Sequence, residues 1–206
     1  MNVKIFGERH TATNAITEFV HLNFNALCND YGFLGWKHRR APLKSEWQRV
    51  NYRDTLFIFT VRHPYSWAKS MHREPYCMHH PQLKKMTFDD FLIHPIEDYE
   101  NILKMWNQKY QSYIDMCEQV PNSLILRMEH FISDQKNAYN QLCLHLDAKE
   151  NFQIYNKYIT GKGVAGKKIS LAAVGVELTP EQKIIINKQI DQDLVAKLGY
   201  GLELQN

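Results

Sequence analysis

The sequence predicts an α/β fold, a three-layer sandwich in which a mainly parallel central sheet is covered by helices. Three observations carry that expectation. Short apolar, β-rich stretches alternate with segments whose apolar residues recur at helical spacing. One stretch, Leu56 to Val61, is apolar at almost every position, as a strand covered on both faces must be. Thr179-Pro180-Glu181-Gln182 writes a helix start in side-chain chemistry: a capping hydroxyl, a proline at the first helical position and a capping-box partner. With 206 residues, 44% of them hydrophobic, the chain is expected to form a single domain over residues 1–206.

In order, Asn2 to Phe6 reads as a strand and Gly7 to Ala12 as a loop. A helix from Thr13 follows, with Ile16, Phe19, Val20, Phe24 and Leu27 on one face. Turn residues fill Asn29 to Pro42, before a short helix over Ser45 to Val50. The strand Leu56 to Val61 leads to Pro64, suited to the first turn of a helix that turns Trp67, Ala68 and Met71 inward. Glu74 to Lys85 reads as irregular, and Thr87 caps a short helix to Ile93. The clearest helix spans Asp98 to Cys117, with Tyr99, Ile102, Leu103, Trp106, Tyr110, Tyr113, Ile114 and Cys117 in one stripe. Ser123 to Met128 reads as another buried strand, and Ser133 as the cap of a helix to Leu146. A short helix is expected over Phe152 to Ile159, a loop over Gly161 to Val176, and a final helix from Pro180 to Leu198 that stops at Gly199.

Charge and composition narrow the function. The net charge of +3 does not point to nucleic acid. The cations lie instead in separate clusters: Lys37, His38, Arg39 and Arg40; Lys84 and Lys85; Lys162, Lys167 and Lys168. That distribution fits an anionic small ligand. No apolar run approaches the roughly 20 residues of a membrane span, and Asn2 to Phe6 offers no charged-then-apolar leader. Cys28, Cys77, Cys117 and Cys143 are dispersed and read as reduced thiols of a cytoplasmic protein. Two stretches each pass from an apolar strand through a polar, cationic loop into a helix: Ile5 to Asn14, and Phe59 to Pro64. Free backbone N–H groups and the helix dipole make such junctions anion sites. Two of them suit a nucleotide phosphorylated at both ends of its ribose.

Read together, these stretches resemble the sulfotransferases, which take a sulfuryl group from 3′-phosphoadenosine 5′-phosphosulfate. Gly7-Glu8-Arg9-His10-Thr11-Ala12-Thr13-Asn14 is similar to the family's 5′-phosphosulfate loop. Arg62 and Ser70 match the arginine and serine that hold the 3′-phosphate. Leu126-Arg127-Met128-Glu129-His130-Phe131 is similar to a strand-to-helix unit of the family, and Leu178 to Tyr200 to its terminal helix. Lys162 and Gly163 match the late basic glycine loop that closes over the 3′-phosphate. The resemblance implies a P-loop NTPase-like fold and a donor held by Arg9, His10, Thr11, Ala12, Thr13, Asn14, Arg62, Ser70, Lys162 and Gly163. The chain departs from the family pattern at Ala12, where a glycine is usual, at the loop lysine, which it lacks, and at Ala15 in place of an aromatic.

For the chemistry implied, Arg9 and its loop neighbours would balance charge on the leaving phosphate. His38 is the first candidate for the base that activates the acceptor, Lys37 would assist at the sulfonate, and Glu8 is the reserve base. The acceptor would be a small molecule or glycan offering a hydroxyl or amine, with a carbohydrate favoured because the first loop is similar to that of bacterial glycan-directed enzymes. No metal is required: Cys77, His79 and His80 lack a second ligand cluster and read as an exposed loop. Oligomeric state stays open. Two alternatives also stay open. A P-loop kinase or NTPase would require GxxxxGK[ST], whose second glycine and lysine this loop lacks. A nucleotide-binding module without catalysis would accord with the altered first loop.

Overall fold

A computed structural model describes residues 1–29, 32–75, 81–156 and 177–202. The chain divides into two compact units: Met1–Val61 with Ser112–Leu171, and Arg62–Gln111 with Ala172–Asn206.

The first unit holds the sheet. Strands β1 (Asn2–Gly7), β2 (Leu27–Cys28), β3 (Thr55–Val61) and β4 (Ser123–Arg127) lie in the order β2-β1-β3-β4, and every pairing is parallel. The expected α/β fold with a parallel sheet is therefore observed. In β3 all seven residues are buried, which is why its sequence is apolar on both faces. On one face Val3, Ile5, Leu56, Ile58 and Leu126 pack with Ile16, Phe19 and Val20 of helix α1 (Thr13–Asn23), together with Phe131 of α6 (Met128–Ser133) and Ala138 and Leu142 of α7 (Gln135–Leu142). On the other face Phe6 stacks on Phe59, and Phe59 on Tyr113, at 5.8 and 4.9 Å between ring centroids. Tyr113 belongs to α5 (Ile102–Gln119), so helices cover both sides. Helix α2 (Lys44–Trp47) also belongs to this unit.

The second unit is helical. Helix α3 (Pro64–Arg73) begins with Pro64 as expected and buries Trp67, Ala68 and Met71 completely. Helix α4 (Phe88–Ile93) is capped by Thr87, whose hydroxyl accepts from Asp90 N–H. The predicted capping box opens α8 (Pro180–Gln189). Gln182 of α8 accepts from Lys69 of α3 and donates to Asp89 of α4, drawing the three helices together.

Several boundaries differ from the expectations. The first helix ends at Asn23 and does not reach Leu27: the Asn23 amide donates to Phe19 O and Gln153 O and accepts from Gln153 N–H, and Phe24 turns extended. Leu27 is 65% exposed and lies in the two-residue strand β2. Helix α5 starts at Ile102 because Asn101 caps it, accepting from Leu103 and Lys104 N–H. Ser133 ends α6; Asp134 caps the separate α7. Asp191 likewise caps α9 (Gln192–Lys197), so the final helix is two, although the second does stop before a left-handed Gly199. Residues 152–156 are not helical, and 81–85 form a 3-10 turn. Strand β4 is an edge strand, buried only at Leu126. The expected loop over Gly161 to Val176 lies outside the described residues.

Candidate functional site

The last residue of strand β1 is a glycine, Gly7, because nothing larger fits. A Cβ there would lie 1.8 Å from Thr60 Oγ1, 2.7 Å from Thr11 Oγ1 and 2.9 Å from Thr60 O. The crowding reflects a buried relay that holds the loop to the sheet. Thr60 Oγ1 reaches Phe6 O at 3.3 Å and Thr11 Oγ1 at 2.6 Å, and Thr11 donates to Glu8 O at 2.6 Å. A hydroxyl inside the apolar strand β3 thus fixes the first turn of the loop.

Beyond this anchor the backbone is left-handed at His10 (φ 65°) and Ala12 (φ 68°). That region costs a residue with a Cβ about 1–2 kcal/mol, and it explains why a glycine is the easier choice at position 12. Ala12 is the N-cap of α1; it supplies no side-chain cap, and the first turn carries no acidic residue. The N-terminus of α1 therefore presents backbone donors and the positive end of its dipole without an anionic side chain of its own helix to occupy them. Glu8 is turned inward, fully buried, with Oε1 accepting from Arg9 N–H at 2.6 Å. Arg9 and His10 are half-buried, Thr11 and Thr13 buried, and Asn14 half-buried in the first turn of α1.

The Trp36-Lys37-His38 segment meets this loop. Gly7 N–H donates to Lys37 O at 2.9 Å, His38 Nδ1 lies 2.5 Å from Gly7 O, and Lys37 Nζ donates to Asn14 Oδ1. A carbonyl oxygen only accepts, so Nδ1 of His38 carries a proton, and in the neutral ring the lone pair is on Nε2. That is the tautomer a general base needs. Burial holds the Lys37 ammonium below the ordinary lysine value. The structure thus brings together, within the first unit, the loop at Glu8, Arg9, His10, Thr11, Ala12, Thr13 and Asn14 with Lys37 and His38. Lys37 thus brings an ammonium to a loop whose own sequence carries no lysine.

The second junction is built differently. Its helix start is closed by its own residues: Pro64 has no N–H, and His63 Nδ1 accepts from Tyr65 N–H at 3.2 Å. What it offers is side chains. Arg62 is 3% exposed and Ser70 4%. Arg62 N–H donates to Tyr110 OH, its carbonyl accepts from Trp106 Nε1, and its Nε donates to Ser66 Oγ at 3.0 Å. Arg62, Ser66 and Ser70 follow at intervals of four, the spacing of one helix face. Arg62 and Ser70 belong to the second unit and the loop after β1 to the first. Lys162 and Gly163, and the trio Cys77, His79 and His80, lie outside the described residues. Among the described residues no three or more His, Cys, Asp or Glu gather as a metal site requires.

Sequence reasoning passed over Thr60 and Lys4, which support the loop and the turn of the first unit, and Ser66, which accepts from Arg62 in the second. Each left a signal: Thr60 is polar within an apolar run, Ser66 shares the period of Arg62 and Ser70, and Lys4 is a charge inside a strand. Lys4 is fully buried and donates to Gly35 O at 2.9 Å, pinning the turn that carries Trp36 to His38.

No protein-family model matches the chain, and no curated protein does. Among solved structures the chain is similar to the sulfotransferase domain from the Synechococcus PCC 7002 olefin synthase, at 16% identity over 72% of this chain and 50% of that one, with a TM-score of 0.45. It is similar to the sulfotransferase domain from the curacin biosynthetic pathway, at 17% identity over 73% and 55%, with a TM-score of 0.46. It is also similar to the mouse sulfotransferase SULT7A1 complexed with PAP, at 13% identity over 91% and 64%, with a TM-score of 0.45. The matched part spans between half and just under two thirds of those chains. At these identities the likeness is one of fold and says nothing of chemistry. No helix among the described residues is long and apolar enough to cross a membrane.

Proposed function

We propose that this chain is a sulfotransferase that moves a sulfuryl group from 3′-phosphoadenosine 5′-phosphosulfate to a hydroxyl or amine acceptor, with a carbohydrate as the acceptor class. The observation that carries the reading is the convergence of Lys37 and His38 on the loop between β1 and α1. An uncapped helix start, a partly buried ammonium and an imidazole held in the basic tautomer form the set that in-line transfer from a phosphate oxygen needs.

The assignment of roles follows. Loop N–H groups from Thr11 to Asn14, with Arg9, His10 and Lys37, receive the 5′-phosphosulfate. Arg62 and Ser70 receive the 3′-phosphate, and the motif resemblance adds Lys162 and Gly163 at that phosphate. His38 Nε2 takes the acceptor proton as the acceptor oxygen bonds to sulfur and the bond from sulfur to the phosphate oxygen breaks. The donor supplies the sulfuryl group and departs as 3′,5′-bisphosphoadenosine. Between the two candidate bases the geometry favours His38, because Glu8 points into the protein. The reading treats residues 1–206 as one functional domain in the cytoplasm.

Sulfur-35-labelled donor, incubated with the chain and an acceptor panel, tests it: label should pass to an acceptor with matching release of the bisphosphate. Thermal stabilisation by ATP with Mg²⁺ but not by the bisphosphate would favour the kinase reading. Stabilisation by the bisphosphate with no label transferred to any acceptor would favour the non-catalytic module.

A further inference from the structure

Arg62 is held through its backbone as well as through its side chain. Helix α5 presents Trp106 and Tyr110 four residues apart, both fully buried, with ring centroids 4.4 Å apart. A buried indole N–H and a buried phenol each need a polar partner, and both find one on Arg62. Trp106 Nε1 donates to Arg62 O at 3.1 Å, and Tyr110 OH accepts from Arg62 N–H at 3.2 Å. The main chain just beyond β3 is thereby fixed, and Ser66 fixes the side chain. Ser66 is 2% exposed, and its Oγ accepts from Arg62 Nε at 3.0 Å.

A serine hydroxyl has one proton to give and lone pairs to receive. The Ser66 proton goes to His63 O at 3.2 Å, so Oγ meets Arg62 with a lone pair. An oxygen whose one proton is spent on a carbonyl has no donor for a phosphate, yet it can steady a guanidinium. A guanidinium grips a phosphate bidentately either by Nε with one Nη or by its Nη1–Nη2 end. With Nε on Ser66, the end is the edge set for such a grip.

We infer that Ser66 is a positioning residue: by holding Arg62 Nε it sets the end-on grip on the 3′-phosphate, and so the selectivity for 3′-phosphorylated nucleotides. The inference rests on the proposed function for placing that phosphate on Arg62. A guanidinium held in advance loses little side-chain freedom when the phosphate arrives. A nucleotide with a 5′-phosphate alone makes no use of the arrangement. Two serines on one helix face thus divide the work, Ser70 toward the phosphate and Ser66 toward the arginine.

Calorimetric titration of the full chain with 3′,5′-bisphosphoadenosine and with adenosine 5′-monophosphate tests it. The wild type should prefer the bisphosphate. Ser66→Ala should weaken bisphosphate binding about 10-fold with the monophosphate affinity unchanged. Ser66→Thr, which keeps the hydroxyl, should restore most of the preference. Should Ser66→Ala not fold, Ser66→Cys keeps the volume with a weaker acceptor and should show the same loss. In an Arg62→Lys background, which has no guanidinium to hold, Ser66→Ala should change the preference no further. Equal weakening toward both nucleotides, as a merely structural serine would give, overturns the inference. A full effect in the Arg62→Lys background also overturns it, because Ser66 would then act on the phosphate itself. A wild type without the preference sinks the placement of the 3′-phosphate and this inference with it. A wild type with the preference, and a Ser66→Ala variant that keeps it, sinks this inference alone.

Discussion

Replacing Gly7 by alanine tests the joint between sheet and loop. The new methyl would stand 1.8 Å from Thr60 Oγ1 and 2.7 Å from Thr11 Oγ1. Thr60 can escape only by rotating its hydroxyl away from Thr11 Oγ1 and Phe6 O, and both threonines are fully buried. Leaving the buried Thr60 hydroxyl without those partners costs about 1–3 kcal/mol, while Thr11 keeps its bond to Glu8 O. The third contact, 2.9 Å to Thr60 O, is with backbone that cannot rotate, since Gly7 and Thr60 are paired in the sheet. Forcing that pair apart adds about 1–3 kcal/mol of overpacking. We expect a loss of about 2–6 kcal/mol, from a total that is typically 5–15 kcal/mol. Urea denaturation followed by circular dichroism measures it. Thr60→Ala removes one clashing atom, so the double variant should be more stable than the sum of the single effects by about 1–3 kcal/mol. A Gly7→Ala protein within 1 kcal/mol of wild type, or strictly additive effects, would refute the crowding argument.

Three further expectations follow from the same geometry. His38→Ala should lower kcat by about 10²–10⁴-fold while the calorimetric affinity for 3′,5′-bisphosphoadenosine stays unchanged. Burial lowers the Lys37 pKa in the free protein, and a bound anion raises it, so the bisphosphate should bind with proton uptake at alkaline pH; titrations in buffers of different ionisation enthalpy detect it, and Lys37→Met should abolish it. Ala12→Gly should stabilise the chain by about 0.5–1 kcal/mol in urea melts, because the relief of a left-handed alanine exceeds the entropy cost of glycine.

The parts of the fold that were legible in the sequence are those where one local cause dominates. Strand β3 is apolar because it is covered on both faces, Pro64 and the Thr179–Gln182 box mark helix starts, and Gly199 marks a stop. The errors share a cause as well. Apolar periodicity ran through Asn23, Asn101, Asp134 and Asp191, each of which spends its side chain on backbone groups and so ends or begins a helix. Periodicity weighs burial alone and cannot see that competition. Strand β2 escaped notice because its Leu27 is at the surface and two residues carry no period.

The candidate site divides along the same line. The loop after β1 and the Trp36-Lys37-His38 run were each legible as chemistry. Their meeting was not, because Lys37 reaches Asn14 across 23 positions and His38 reaches Gly7 across 31. That meeting depends on a turn at Leu34 and Gly35 held by a lysine buried in β1. Lys4 reads as an anomaly in a strand until its partner is known.

The account comes down to where one nucleotide lies. A crystal structure of the chain soaked with 3′,5′-bisphosphoadenosine should place the 5′-phosphate on the N–H groups at the start of α1 within reach of Lys37 Nζ, and the 3′-phosphate on Arg62 and Ser70. Crystals that take up no bisphosphate, or that bind it with neither phosphate on those residues, would contradict the assignment.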